Sequence, residues 1–475
     1  MLYIHGSHDF TIIIHICILS VALILGSILR SKIKFLQKYL IPAPMIGGLF
    51  LFFFYNYISQ YFYLEGGQSF LEELMFHLLN ISFIAMQLRI PVNEKHERKS
   101  ALWQNVTALS SQYGLQATFG LLAIIIFFRR KITGAARALG LTLCLGFELG
   151  PGQAESMAKV WEGAPYNVAH AGSVGLILAA IGFAVGSIIG VVMINTAAKK
   201  GWVSEEYVER LRNRKAGNGF FKNRSQQLVG SRQTTASESM DTFTLHFALI
   251  MFTYLISYLS LSIIEHLVAK YVGGKVLEAV EGLWGINFVF SSIWAMLVRK
   301  VIVASHSEHI IDNGTCNRID GLAVDLTVVA CLGAIRIAAL KAYWPVILVL
   351  SGIGIIITCL FIPFFCSRLF KDYQFFRMLM VFGSATGTLP TALSLVRVVD
   401  PDFETPVAQD YINSMGVMFV LALPILALIN MPAKGHSILF MIICSAYIVF
   451  SFVMYLFIAK KRAFAQPDKM FYKEK

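Results

Sequence analysis

Apolar residues run in blocks of about twenty along this chain, divided by short polar or basic turns. Roughly 20 apolar residues span a bilayer's hydrocarbon core, so the pattern predicts a polytopic all-α membrane protein. Blocks at 11–29, 40–62, 73–90, 103–128 and 171–195 precede a long polar gap, and blocks at 242–264, 283–298, 321–340, 343–365, 411–430 and 437–458 follow it. The count is eleven spans. The second is entered through Pro42 and Pro44, which a helix tolerates in its first turn, where the missing N–H has no partner to lose.

Two further segments, 134–163 and 376–397, are long enough to enter the membrane but carry Gly, Ser, Thr and Pro where a span would carry Leu, Ile and Val. The second includes VFGSATGTLPTALS, residues 381–394. Irregular backbone survives in hydrocarbon only where protein buries it or water lines it, so both segments predict broken or re-entrant helices beside a cavity. Freed carbonyls and the hydroxyls of Ser384, Thr386, Thr388 and Thr391 suit an alkali cation. N–H groups at a half-helix N-terminus suit a carboxylate. The competing reading is close helix packing, since Gly146/Gly150 and Gly383/Gly387 both fit GxxxG.

The polar gap at 198–241, rich in Gly, Ser, Gln and basic residues, predicts a cytoplasmic linker between two halves. Each half has five spans and one broken segment. The glycine pairs recur at corresponding places, and Arg89 has a counterpart in Arg336. Five spans per half invert the second half, a recurring design of secondary transporters. The expected domains are a first repeat at 1–197, the linker at 198–241, an inverted repeat at 242–430, and an extra span with a basic tail at 431–475.

Composition agrees with lipid as the solvent, with 56% hydrophobic and 14% charged residues. The net charge of +12 sits in short loops such as Arg30 to Lys34 and Lys460 to Arg462, a positive-inside bias and not a nucleic-acid stripe. That bias predicts an N-terminus outside and a C-terminus in the cytoplasm of a plasma (inner) membrane. Arg129 to Lys131 falls outside against the rule, and the acidic run Asp400-Pro401-Asp402-Phe403-Glu404 falls inside. The first apolar block lacks the basic n-region of a cleavable signal. The seven cysteines have neither CxxC spacing nor paired histidines, which argues against a disulfide framework and a transition-metal site.

Charges inside apolar runs are costly and mark candidates. Arg336 offers a fork to a substrate carboxylate, with snorkelling to the interface as the alternative. Glu148 and Glu155 flank the first polar segment, as cation neutralisers, proton carriers or solvated carboxylates. Asp325 and Arg336 are eleven residues apart, about 16 Å along one helix face, too far to pair. His15 and His77 read as hydrogen-bonded packing residues. HExxH, the nucleophile elbow and the P-loop are all missing, so an enzyme is not expected.

Several motifs resemble those of the sodium/glutamate symporter family. Gly387-Thr388-Leu389-Pro390-Thr391-Ala392 matches its G-x-x-P-T-A stretch, and Ile41-Pro42-Ala43-Pro44 with Gly47-Gly48 resembles its I-P-x-P-x-x-G-G. Gly150-Pro151-Gly152-Gln153 through Lys159 takes the place of a glycine-rich G-x-G-x-x-A-x-x-x-K-type segment, and Asn430 that of an asparagine in the last repeat helix. The chain departs where the family has a histidine and further glycines and this one has Pro151, Ala154 and Glu155. The likeness, over roughly 11–430, implies an elevator-type homodimer that couples sodium entry to uptake of L-glutamate or a related small carboxylate, with sodium as coupling ion and no cofactor. On that reading Gly150, Gly152, Gln153, Ser156, Arg336, Gly387, Thr388 and Thr391 hold substrate, while Ser384, Thr386 and Pro390 hold sodium. The alternatives are a proton-coupled or uncoupled carboxylate carrier, and a channel or receptor that has lost coupled transport.

Overall fold

The computed structural model describes residues 4–5, 8–90, 99–203, 219–220, 227, 229–236, 238–400, 405–464 and 470–471. Most of the expected linker therefore lies outside the described residues. A two-residue ladder pairs Ile4–His5 with His8–Asp9, and the remaining regular structure is helical.

The first half contains α1 (Thr11–Lys32), α2 (Ala43–Phe53), α3 (Gly67–Leu88), α4 (Lys99–Phe127), α5 (Pro151–Val160) and α6 (Ala171–Lys200). The second half contains α7 (Thr242–Tyr271), α8 (Asn287–Ala304), α9 (Asn313–Ala334), α10 (Ile337–Ile356) and α11 (Ile362–Leu369). It continues with α12 (Gln374–Ala385), α13 (Leu389–Val399), α14 (Val407–Ala427) and α15 (Ser437–Ala459). Local chemistry sets several starts. Asp241 caps α7 by accepting from the N–H groups of Phe243 and Thr244, and Asp312 caps α9 by accepting from Thr315.

Among the described residues eight helices are long and apolar enough to cross a membrane. Three of the eleven expected spans are not among them. The block at 40–62 yields α2, which widens into a π-turn at Phe54–Ile58 and tightens at Ser59–Phe62. The block at 321–340 divides, because α9 stops at Ala334 and α10 begins at Ile337. Asn56 repairs this break by donating to the Ile335 carbonyl at 2.9 Å and accepting from the Ile337 N–H at 3.0 Å, and Gln68 adds a donor to Ile335 at 3.1 Å. Asp325 and Arg336 are consequently not on one helix, which corrects the shared face expected of them. The block at 411–430 becomes α14, which ends at Ala427 and leaves Asn430 in the following turn.

The outermost helices α1, α7 and α15 turn residues such as Ile24, Phe252 and Phe450 outward. The interior helix α4 instead buries polar groups along its length: Gln104, Asn105, Ser110, Gln112 and Gln116. Polar groups turn inward there while the outermost helices turn apolar groups outward, the distribution expected of a chain whose surroundings are hydrocarbon. Cys144, Cys316, Cys331, Cys366 and Cys444 are buried packing residues. His15 and His77 each meet a tyrosine hydroxyl, of Tyr55 and Tyr254, at 2.8 Å.

Packing is reciprocal between the halves. α2 lies on α9 as α8 lies on α3, and α4 lies on α14 as α6 lies on α10. At the centre α3 and α9 run antiparallel, each followed within two residues by an arginine that reaches the other's first turns. Arg89 donates to Asn317 at 2.6 Å, and Arg336 donates to Glu72 and Ser69 at 3.1 Å.

Candidate functional site

Both polar segments fold as helix, break and helix. The first runs through a 3-10 stretch (Gly134–Leu141) and a π-turn (Leu145–Leu149), halts at Gly150, and restarts as α5 on Pro151. Gly150 has φ +94° and ψ 178°, a conformation essentially restricted to glycine. The second segment halts after α12 at Thr386-Gly387, and Thr388, fully extended, takes the N-cap position of α13 without a side-chain hydrogen bond. Each GxxxG pair divides its labour. Gly146 lies on the α6 backbone and Gly383 on Ala392, while Gly150 and Gly387 sit at the breaks.

The two breaks meet. A Cβ on Gly150 would lie 2.7 Å from Thr388 Cγ2 and 3.3 Å from the Gly387 carbonyl oxygen. The N-termini of α5 and α13 thereby converge, and the first-turn N–H groups of Gly152, Gln153, Leu389 and Thr391 have no partner within their helices. Together they make a positive locus from two half-helices.

Beside this junction is a cavity of about 160 Å³. Metabolite- and drug-sized pockets run to roughly 300–1,000 Å³, so this one suits a single small solute. Glu148, Gly152, Gln153, Ser384 and Thr388 line it from the broken segments, Tyr411 and Met415 from α14, and Leu79, Phe83, Gln87 and Asp320 from α3 and α9. Glu148 is 93% buried by its 7% exposure, and its Oε2 has no hydrogen-bond partner among the described residues. Asp320 accepts from the Ser82 hydroxyl at 2.5 Å.

Of the residues singled out in the sequence, Glu148, Gly152, Gln153, Ser384 and Thr388 line the cavity, with Gly150 and Gly387 pressed together at the junction. Ser156 is turned away and donates to the Gly285 carbonyl at 2.6 Å. Thr386 donates to the Phe382 carbonyl at 2.8 Å and, with Thr391, packs on Gly186 of α6. Pro390 stands in the first turn of α13, but its side chain lies outside those described. Glu155 is buried against Gly172 and lines no part of the cavity. Gln87, Asp320, Ser82 and Tyr411 are lining residues that the sequence reading passed over. For Asp320 and Ser82 the signal was a polar side chain in or at the edge of an apolar block.

Arg336 does not reach the cavity. It stands at the α9–α10 break with its side chain 35% exposed and is ion-paired to Glu72, which also takes the Lys159 ammonium. Glu72 is thus a nearly buried carboxylate shared by two half-exposed cations, and it ties α5 to α3. Glu72→Gln should lower stability by about 1–2 kcal/mol, near the low end for hydrogen bonds to charged groups, because both cations can turn to solvent. Thermal unfolding in detergent checks this. An unchanged midpoint would mean the cluster is solvated.

Among the described residues no cluster of three His, Cys, Asp or Glu is placed to hold a metal ion. Searches of curated proteins and of solved structures each matched nothing. A family model described as sodium/glutamate symporter matches residues 8–405, most of the chain. This multi-pass membrane protein belongs to the sodium/glutamate symporter family.

Proposed function

We propose that the protein is a secondary active transporter, driven by sodium, for uptake of L-glutamate or a related small carboxylate, with the cavity beside the paired helix breaks as its solute site. The single observation that carries this is the apposition of Gly150 with Gly387 and Thr388 beside a solute-sized space. Two half-helix N-termini there favour a carboxylate, and carbonyl and hydroxyl oxygens at the second break, with Ser384 and Thr386, favour sodium. The family match supports both the transport class and the coupling ion.

The reciprocal packing of the halves and the antiparallel α3–α9 pair support two inverted repeats, joined by the 198–241 segment. The cavity lies between two groups of helices. One contains α3, α8 and α9, and the other contains α5, α12, α13 and α14 with α4 and α6. Sliding of the second group past the first, within a homodimer in the plasma (inner) membrane, would alternate access in the elevator manner. The basic loops orient the N-terminus outside and the C-terminus in the cytoplasm.

Purified protein in liposomes should accumulate a labelled amino or carboxylic acid under an inward sodium gradient and not under equal sodium. Accumulation driven by a proton gradient alone would replace sodium as coupling ion. Single-channel current without accumulation, or ligand binding without flux, would reject the carrier.

A further inference from the structure

Two acids line the cavity, and they are not equally provided for. Asp320 accepts from the Ser82 hydroxyl and lies within reach of the Arg89 charge. Glu148 is nine-tenths buried with its Oε2 unpartnered, and no cationic side chain among the described residues is near enough for its charge to act on it. The ionisable groups around it are Tyr113 of α4, Tyr411 of α14, Tyr447 of α15 and Cys144 of its own segment. A buried carboxylate with no counter-charge is strongly unfavourable.

Other oxygens stand in the same wall. Thr388 Oγ1 is buried and has no hydrogen-bond partner among the described residues. Gly150, two residues beyond Glu148, packs directly against Thr388. Tyr411 is fully buried, its hydroxyl beside that of Ser384, and both residues line the cavity. Thr386 is not part of this set, because its hydroxyl is engaged by the Phe382 carbonyl and its side chain packs on Gly186. Buried polar atoms left without partners call for an occupant. A carboxylate oxygen and three hydroxyl oxygens are a hard donor set with a single negative charge. Hard cations take several oxygen ligands at once, and one carboxylate balances one monovalent ion. Glu148 itself is carried on the π-turn Leu145–Leu149, a distortion frequent at functional sites.

Resting on the reading of this cavity as the solute site, we infer that Glu148 is the anionic ligand of the coupling sodium ion, which it holds together with Ser384, Thr388 and Tyr411. The ion thereby bridges the two broken segments and α14. This placement gives coupling a physical cause. Glu148 is two residues from Gly150, where the free N–H groups of α5 and α13 converge. Without sodium, its charge opposes a solute carboxylate at that junction. With sodium bound, the wall there is neutral and the donors prevail. Sodium therefore raises the affinity for solute, and solute raises the affinity for sodium by the same factor.

The test measures sodium binding with no solute present. Purified protein in detergent should bind radiolabelled sodium saturably, and its thermal midpoint should rise as sodium replaces choline at constant ionic strength. Glu148→Gln should raise the half-saturating sodium concentration by at least about tenfold, the loss of one charge-assisted contact. In choline its midpoint should equal or exceed the parent's, because the uncompensated charge is gone. A merely structural Glu148 would do the opposite, lowering the midpoint in choline and leaving the sodium half-saturation unchanged, and that result overturns the inference. So does a parent protein that binds no sodium and whose midpoint responds only to pH, which makes a proton the occupant. Sodium binding that is lost in Glu148→Gln, with no solute accumulated by the parent in liposomes, upholds the ion site and rejects the solute-site reading. Should Glu148→Gln not fold, the near-isosteric Thr388→Val decides. It should weaken sodium binding several-fold, and an unchanged half-saturation there overturns the site.

Discussion

Gly150→Ala should cut uptake by more than about tenfold while leaving the helical bundle assembled. The substitution meets two independent obstacles. The backbone at φ +94° and ψ 178° excludes a side chain and costs about 1–3 kcal/mol in strain. The new methyl would also lie 2.7 Å from Thr388 Cγ2 and 3.3 Å from the Gly387 oxygen, so the breaks must part or twist. Either response moves two sets of N–H donors out of convergence, and hydrogen bonds weaken steeply with misalignment. Uptake should therefore fall by more than about tenfold, one lost charge-assisted hydrogen bond being enough for that, with a monodisperse elution profile retained. Gly163→Ala supplies the control. Its backbone is ordinary, and a methyl there meets only the Val160 oxygen at 3.8 Å, so both transport and elution should match the parent. Wild-type uptake in Gly150→Ala would mean that the junction is not where the solute rests.

The junction was legible in the sequence because breaking a helix inside lipid needs residues that lipid otherwise selects against. Two glycines and a proline in GSATGTLPT, with a counterpart near Gly150, are hard to explain as ordinary spans. What the pattern could not supply was orientation. Ser156 and Thr391 have the right chemistry and sit within a turn or two of the breaks, yet the helical rotation of 3.6 residues per turn carries them off the cavity, to Gly285 and Gly186. Gln153 and Thr388, with similar chemistry, are rotated into it.

Arg336 stands away from the cavity for a different reason. A continuous apolar block through 321–340 puts it mid-span, where its charge would demand a functional partner. The helix ends two residues earlier, and Asn56 and Gln68, more than 260 residues away in sequence, satisfy the exposed backbone. A hydropathy pattern contains no record of such remote repair. Asn80 and Ser291 are coupled in the same way, by a 2.7 Å bond between the two halves. Polar residues inside apolar blocks marked where something is satisfied, but not by what.

The largest stability effect belongs to a residue that no motif marked. Arg377 on α12 is completely buried, its guanidinium 2.6 Å from Asp410 of α14 and 3.3 Å from Asp372. Arg377→Met leaves Asp410 facing an uncompensated interior, and removing one partner of such a pair costs about 3–5 kcal/mol. Asp410→Asn should cost a similar amount. The double variant Arg377→Met with Asp410→Asn should recover much of the loss, since it removes both buried charges and Asp372, 39% exposed, can turn to solvent. Arg377→Lys should not rescue, because a single ammonium cannot span two carboxylates as a guanidinium fork does. Thermal unfolding of the four proteins in one detergent measures the coupling, expected at about 2 kcal/mol or more. The pair matters beyond stability because α14 supplies Tyr411, one residue past Asp410, to the cavity, so the ion pair fixes the second broken segment against the wall it shares with the solute. Strictly additive losses would show that Arg377 and Asp410 are each solvated separately and that this wall is held by apolar packing alone.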